Sequence, residues 1–171
     1  MIQSYKDYLI YKEADRISLN QKNNFFQKIY DEVLKFQRLM RQLEYLTNCQ
    51  KNSLMKLITK FRYYRLGTKL GFTIPINIFG PGLSIAHFGT IVVNNGVKVG
   101  TNCRLHVCVN IGTEAGKASS APSIGNNTVV GANSVVNTSF PEGNVTIAGV
   151  PARIISNKNS DRLLIKGYTN S

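Results

Sequence analysis

The chain has 171 residues, of which 43% are hydrophobic and 18% are charged, so it can bury the core of one ordinary domain. Its formal net charge is +12, but it has no run of five basic residues, which argues against a nucleic-acid-binding role and leaves peripheral contact with a membrane open. No apolar stretch approaches the roughly 20 residues that cross a bilayer. The three cysteines lack CxxC spacing, so we expect a cytoplasmic protein with neither a disulfide scaffold nor a metal site.

Helical patterns dominate the first part of the chain. A short helix is predicted within residues 4–16. Residues 23–48 contain neither Gly nor Pro and carry apolar residues at three- and four-residue steps, which indicates an amphipathic helix. Its apolar positions are Phe26, Ile29, Val33, Phe36, Met40, Leu43 and Leu46. A further helix over 53–66 is expected to pack through Leu54, Leu57, Ile58, Phe61 and Tyr64, and to end near Gly67 and Gly71.

The period changes to six from Phe79 onward. Bulky apolar residues that we call anchors occupy the repeating position: Phe79, Ile85, Val93, Val99, Leu105, Ile111, Ile124, Val130 and Val136. Four residues after an anchor comes a small or β-branched residue, as at Val97, Cys103, Val109, Thr128 and Ser134. Neither a helix nor a single strand has a period of six. The pattern favours a solenoid in which each hexapeptide supplies one short strand and one corner.

The repeat is interrupted at two places. The step from Ile85 to Val93 is eight residues, so two extra residues bulge from one corner, and His87 lies in that bulge. The step from Ile111 to Ile124 is 13 residues and reads as an extruded loop. Insertions in solenoids map to loops on one face, often the functional one.

The segments GPGLSIAHFGTIVVN (80–94), VGTNCRLHVCVNIGT (99–113), GANSVVN (131–137) and TIAGVPARII (146–155) carry a family likeness. They resemble the hexapeptide-repeat acyltransferases, within them the serine acetyltransferase family, and especially its branch in polysaccharide gene clusters. The resemblance implies an α+β chain: an α-helical N-terminal region (1–71), a left-handed parallel β-helix (72–156) and a C-terminal tail (157–171). It also implies a homotrimer.

The same resemblance implies acetyl transfer from acetyl-CoA to a hydroxyl, with acetyl-CoA as co-substrate and no permanently bound cofactor. His87 matches the family's general base, a task that suits histidine because its side-chain pKa lies near neutrality. An 18-residue coil would place His106 in the adjacent coil, one position beyond the counterpart of His87. There it would contact the acceptor or serve corner packing. Cys103 occupies a small-residue position and is expected to be buried and inert.

The coenzyme is expected in a groove between adjacent copies, towards the C-terminal coils. By the family's pattern, Gly131, Ala132 and the segment 148–150, with Ala148 and Gly149, would contact pantetheine. Arg153 and Lys158 would bind the phosphates; alternatively, they belong to a solvated C-terminal end.

The chain departs from the serine-specific pattern at four positions. Phe72 and Ala86 stand where the family has aspartates, and Ser120 and Ala121 stand where it has the Arg-His pair that grips the serine carboxylate. Asp15 is the remaining candidate for an acceptor-binding carboxylate.

Three functions stay open. The family likeness favours L-serine as the acceptor, in cysteine biosynthesis, whereas the missing carboxylate grip favours a sugar hydroxyl of a polysaccharide. Because the chain is about one coil shorter than the family, a catalytically impaired trimeric scaffold is the third reading.

Overall fold

The computed structural model describes residues 1–20, 31–50, 53–113, 121–157 and 164–169. Within these ranges lie three helices, α1 (Tyr5–Ser18), α2 (Glu32–Asn48) and α3 (Ser53–Leu70). Side-chain caps start the first two, because Ser4 Oγ accepts from the Asp7 amide at 3.0 Å and Asp31 from the Leu34 amide at 2.9 Å. No helix in the described ranges has the length and apolarity of a membrane span.

Helix α2 buries the face that the sequence predicts. Phe36, Met40, Leu43 and Leu46 are buried, and Val33 packs against the core. Phe26 and Ile29 of the same predicted stripe lie outside the described residues. Three polar side chains that the apolar pattern does not predict share this buried face: Gln37, Arg41 and Glu44.

The predicted packing face of α3 is wrong. Its five predicted contact residues are all 45–67% exposed, and the helix packs instead through Thr59, Tyr63 and Leu70. It also runs on through Gly67, where an added Cβ would lie 3.0 Å from the carbonyl oxygen of Phe72. The glycine therefore permits a close approach of helix and strand, and Tyr63 fixes it by donating its hydroxyl proton to the Ile74 carbonyl.

Eleven short strands follow in the part of the chain that the structure describes. They are β1 (Phe72–Thr73), β2 (Ser84–Ile85), β3 (Ile91–Val93), β4 (Lys98–Val99), β5 (Arg104–Leu105), β6 (Val109–Ile111), β7 (Ser123–Ile124), β8 (Val129–Val130), β9 (Val135–Val136), β10 (Thr146–Gly149) and β11 (Ala152–Ser156). Parallel pairing gives the ladders β1-β3-β6-β9, β2-β5-β8-β10 and β4-β7 in the described residues. Among these described strands, β11 alone joins its neighbour antiparallel, on the outer edge of β10. From β1 to β10, consecutive strands thus belong to different ladders, with a corner between them.

All nine predicted anchors are buried, as are the five small or β-branched residues that follow them. Isolated parallel bridges join Phe79 to Val99 and Ile124 to Phe140, which extends the ladder of β4 and β7 at both ends. Phe140 and Ile147 are two further buried anchors that the six-residue period does not predict. The step from Val136 to Phe140 is four residues, and the step from Phe140 to Ile147 is seven. The helices and the strands share one hydrophobic core. The predicted boundary between two regions at residues 71/72 stays a prediction.

The two-residue bulge is confirmed, and it changes the expected register. Ile85 pairs with Leu105, 20 residues on, whereas Ile91 pairs with Val109, 18 residues on. The extra two residues therefore lie between Ile85 and Ile91. The 20-residue spacing holds for the residues before the bulge, so His106 lies beside Ala86. The counterpart of His87 is then residue 107. His106 therefore lies one position before that counterpart, whereas the sequence predicts one position beyond it.

Asparagines form a ladder of their own at another corner. Asn102, Asn127 and Asn144 all have φ of 53°, the left-handed conformation that asparagine tolerates. Their side chains bond in sequence, at 3.0 and 2.9 Å. The tail packs back here, since the Tyr168 amide donates to Asn102 Oδ1 at 2.9 Å.

The guanidinium of Arg41 is fully buried, and all its N–H groups are bonded. Two donate to Asp15, at 2.8 and 3.2 Å, and one to Glu44, at 3.0 Å. The remaining two donate to the carbonyl oxygens of Phe79 and Gly80, at 2.9 and 2.8 Å. Burial by itself lowers the pKa of Arg41, but the two carboxylates outweigh it and raise that pKa.

The two carboxylates of this Arg41 cluster (Asp15, Arg41 and Glu44) also bind backbone. Asp15 Oδ1 accepts from the amides of Gly82 and Leu83, both at 2.9 Å, and Glu44 Oε1 accepts from the Asn77 amide at 2.8 Å. The cluster therefore ties α1 and α2 to the backbone segment 77–83, directly before β2.

Replacing the buried arginine tests this tie. Arg41→Met leaves two buried carboxylates without a counter-charge, so we expect the free energy of unfolding to fall by about 3–5 kcal/mol. Urea denaturation measures it, with the exposed Arg65→Met as a matched control that changes it by about 0.5 kcal/mol or less. Equal stability of the two variants would contradict a structural role for the cluster.

Candidate active site

One corner brings most of the predicted site residues together. It follows the ladder of β2, β5, β8 and β10, whose hydrogen bonds continue one residue beyond each strand. The Ala86 amide donates to the Leu105 carbonyl at 2.9 Å, the His106 amide to that of Val130 at 3.1 Å, and the Gly131 amide to that of Ile147 at 2.8 Å. We call residues 86–90, 106–108, 131–133 and 148–149 the corner column.

His87 lies at the bulged end of the corner column and is exposed, as is Phe88, at 73%. Gly89 shapes the bulge: its φ is +135°, and an added Cβ would lie 2.5 Å from the Val107 side chain. Its amide donates to the carbonyl of Leu70 at 3.0 Å, so the end of α3 supports the corner that carries His87. The His87 side chain is thus exposed to solvent, while the backbone of its corner bonds to the end of α3 and packs against Val107.

His106 is half-buried in the next layer of the column. Burial lowers its pKa, and charge repulsion from the neighbouring Arg104 and His87 side chains lowers it further. Arg104 is held by a 2.9 Å hydrogen bond to Ser84 Oγ, across the β2–β5 pair. His106 is therefore neutral at pH 7 and available as a hydrogen-bonding partner beside the His87 corner.

No carboxylate of the described residues forms an ion pair with either histidine. Phe72, at the position of the family's orienting aspartate, is buried against Phe36 at a ring distance of 5.0 Å. Asp15 does not replace it. It is 2% exposed, and both its oxygens are bonded within the Arg41 cluster, so the expected acceptor contact is corrected to a structural role.

Four of the predicted coenzyme contacts continue the same column. Gly131 and Ala148 touch closely, because a Cβ on Gly131 would lie 2.9 Å from that of Ala148. Ala132 and Gly149 are exposed at the next position, and Gly149 has φ of +106°. Glycine and alanine leave this edge of the column without bulky side chains, which suits the close approach of a thin ligand arm.

Arg153 lies at the end of this row, because β11 folds back antiparallel and pairs Arg153 with Ala148. Its side chain is exposed, so its charge is accessible from solvent. Lys158, the other predicted phosphate partner, and Ser120 lie outside the described residues. Ala121 packs beside Gly96, at a different corner from the column.

Cys103 and Cys108 differ in their exposure to solvent. Cys103 is fully buried, and burial raises the pKa of its thiol to about 12, which confirms the expectation of an inert side chain. Cys108 is exposed in the corner column with φ of 58°, two residues after His106. The sequence did not single it out, because the turn it occupies carries no motif. No cluster of His, Cys, Asp or Glu among the described residues fits a metal ion.

Comparison with known proteins finds solved structures with a similar fold. No protein-family model and no curated protein matches the chain. Solved structures do, among them the serine acetyltransferase of Brucella abortus strain S19 in complex with coenzyme A, with a TM-score of 0.63 and 20% identity over 90% of this chain and 68% of that one.

Two more comparisons agree. The serine acetyltransferase of Vibrio cholerae has a TM-score of 0.62 and 18% identity, over 91% of this chain and 67% of its own. The serine acetyltransferase of Neisseria gonorrhoeae in complex with serine has a TM-score of 0.59 and 20% identity, over 88% of this chain and 68% of its own. The chain has the fold of serine acetyltransferases. The polysaccharide-cluster branch stays a prediction.

The position of Arg104 predicts a change in the titration of His106. Arg104→Met removes a nearby cation that disfavours the protonated imidazole, so the pKa of His106 should rise; burial remains and should keep it below the ordinary value of 6.5. Proton NMR of the imidazole Cε1–H against pH measures it. Lys98→Met, which removes the same charge from β4, is the control, and an equal shift in both variants would contradict the local effect.

Proposed function

We propose that this protein is an acetyl-CoA-dependent O-acetyltransferase that acts on a hydroxyl group, in the cytoplasm. The observation that carries the proposal is the corner column, which places His87 and the predicted pantetheine contacts on one continuous edge. The shared fold, including a relative with bound coenzyme A, supports it. We further propose that the three ladders wind as a left-handed β-helix.

The proposal includes a homotrimer, with the coenzyme lying between the corner columns of adjacent copies. Phe88, in the bulge of the column, and Val150, directly after its last residue, are 73% and 72% exposed in the single chain. In the proposed trimer, a neighbouring copy covers these two apolar side chains. A second copy would thus complete a groove that one chain only half encloses.

The chemistry needs one base and one site for the thioester. The His87 imidazole takes the proton of the acceptor hydroxyl as its oxygen attacks the thioester carbonyl carbon. The resulting tetrahedral intermediate collapses with cleavage of the C–S bond, and the imidazolium returns its proton to the leaving thiolate. The products are an O-acetyl ester and coenzyme A. No covalent enzyme intermediate forms. His106, one layer further along the column, would contact the acceptor or the thioester.

Two acceptors remain, and different observations favour them. Likeness to a serine acetyltransferase solved with serine supports L-serine. The residues of this chain favour a sugar hydroxyl, because Ser120 and Ala121 supply no cation for a free carboxylate and Asp15 is committed to Arg41. Thiol release measured with each acceptor separates them. A non-catalytic scaffold would release no thiol with either and would not bind acetyl-CoA in calorimetry.

Substitution of His87 tests the assigned base. His87→Ala should lower the rate of thiol release by about 10²–10⁴-fold and leave the affinity for acetyl-CoA within a few fold, since the base acts on the acceptor proton. His106→Ala is the matched control from the next layer, with a loss of roughly tenfold. The assignment fails if His106→Ala abolishes activity and His87→Ala retains most of it.

Arg153 tests the direction in which the coenzyme lies. Arg153→Gln should weaken coenzyme A binding by roughly tenfold, because it removes a charge-assisted contact to phosphate, and should leave the turnover at saturation nearly unchanged. Calorimetry with coenzyme A and with pantetheine, which lacks the nucleotide phosphates, checks this. Arg153→Gln should not affect pantetheine; an equal loss for both ligands would place the phosphates elsewhere.

A further inference from the structure

The three helices enclose a groove of about 1170 Å³ that the proposed chemistry does not use. Among the described residues that line it, seven are basic and two are acidic. They include Arg38 and Lys35 from α2, Arg62 and Arg65 from α3, and Lys12 from α1. The volume is that of a site for a small organic ligand, and the charge selects an anion.

The acidic residues of the groove neutralise only two of these cations. Glu13 pairs with Arg16 at 2.6 Å, and Glu32 pairs with Lys69 at 2.5 Å. For the other five basic residues, no ion pair occurs in the described part of the chain. The Nε atom of Arg38 is buried there without a hydrogen-bond partner. A buried donor of this kind is costly unless a ligand or water satisfies it.

The groove also reaches towards the corner that carries His87. Its lining ends at Thr68 and Lys69, and the next residue, Leu70, accepts the hydrogen bond from the Gly89 amide. Chain geometry then limits the distance between the Cα atoms of Lys69 and His87 to roughly 18 Å. Long basic side chains and a ligand with a diphosphate linkage can bridge such a distance.

We propose that the groove binds the diphosphate group of the acceptor, a sugar carried as a diphosphate ester, and so presents a sugar hydroxyl to His87. The inference rests on the proposed function and names its substrate class. Arginine guanidinium groups match phosphate oxygens in paired hydrogen bonds, and several cations together suit a diphosphate. Free L-serine, with one carboxylate and one ammonium group, has no net negative charge that would match this basic surface.

The test compares two double variants of α3 that remove equal charge. Arg62→Gln/Arg65→Gln removes two cations from the groove, whereas Lys56→Gln/Lys60→Gln removes two from α3 that do not line it. Calorimetry with inorganic pyrophosphate should show binding to the unmodified chain, roughly tenfold weaker binding to the first variant and a change within about twofold for the second. No binding, or an equal loss in both, would overturn the proposal.

Further titrations separate this site from the coenzyme's and identify the carrier. Coenzyme A affinity should be unchanged in Arg62→Gln/Arg65→Gln, and its loss there would overturn the assignment. Tight binding of uridine diphosphate indicates a nucleotide carrier, and selective binding to phosphatidylcholine vesicles with farnesyl diphosphate indicates a lipid carrier. Binding of neither overturns the proposal.

The two proposals fail in different ways. Acetyl transfer in a chain that does not bind pyrophosphate would remove the diphosphate acceptor and leave the acetyltransferase in place. Pyrophosphate binding in a chain that releases no thiol with any acceptor would contradict the proposed function and, with it, the acceptor role of the groove.

Discussion

The buried guanidinium of Arg41 holds the two halves of the molecule in a fixed relation. Its donors bind two carboxylates and two carbonyl groups, and the carboxylates bind three further backbone amides. Gln37, one turn earlier in α2, adds a 2.7 Å bond to the Leu83 carbonyl. Since such a cluster is stable only when every member is satisfied, the backbone entering β2 has little freedom. The corner column starts from that strand.

The position of His87 follows from this constraint and from a two-residue insertion. β2 brings the chain to the corner, the extra residues push it outward, and Gly89 returns it beneath the end of α3. The histidine is thus exposed on a backbone held by hydrogen bonds, which suits its proposed role as general base. The helices contribute more than support, because the lining of their basic groove ends at Lys69, next to the residue Leu70 that holds the His87 corner. Helical region and strands therefore form one site in the proposed mechanism.

Much of this was predictable from the sequence because the interior of the stack selects side chains at a fixed period. The nine anchors and the bulge at His87 are one-dimensional signals, and a two-residue insertion is visible as a change of step. The missed features depend on three-dimensional neighbours. Phe140 and Ile147 break the period, the Arg41 cluster joins Asp15 of α1 to Arg41 of α2, 26 residues away, and α3 buries its less apolar face since Gly67 allows close contact.

A crystal structure of the protein with coenzyme A bound locates the reacting sulfur relative to the corner column and so decides where acetyl transfer takes place. We expect pantetheine along Gly131 and Ala148, phosphates near Arg153 and the thiol beside His87, with the helical groove free of coenzyme. Coenzyme A bound in the helical groove, or a thiol remote from both histidines, would contradict the assignment of the corner column as the site of acetyl transfer.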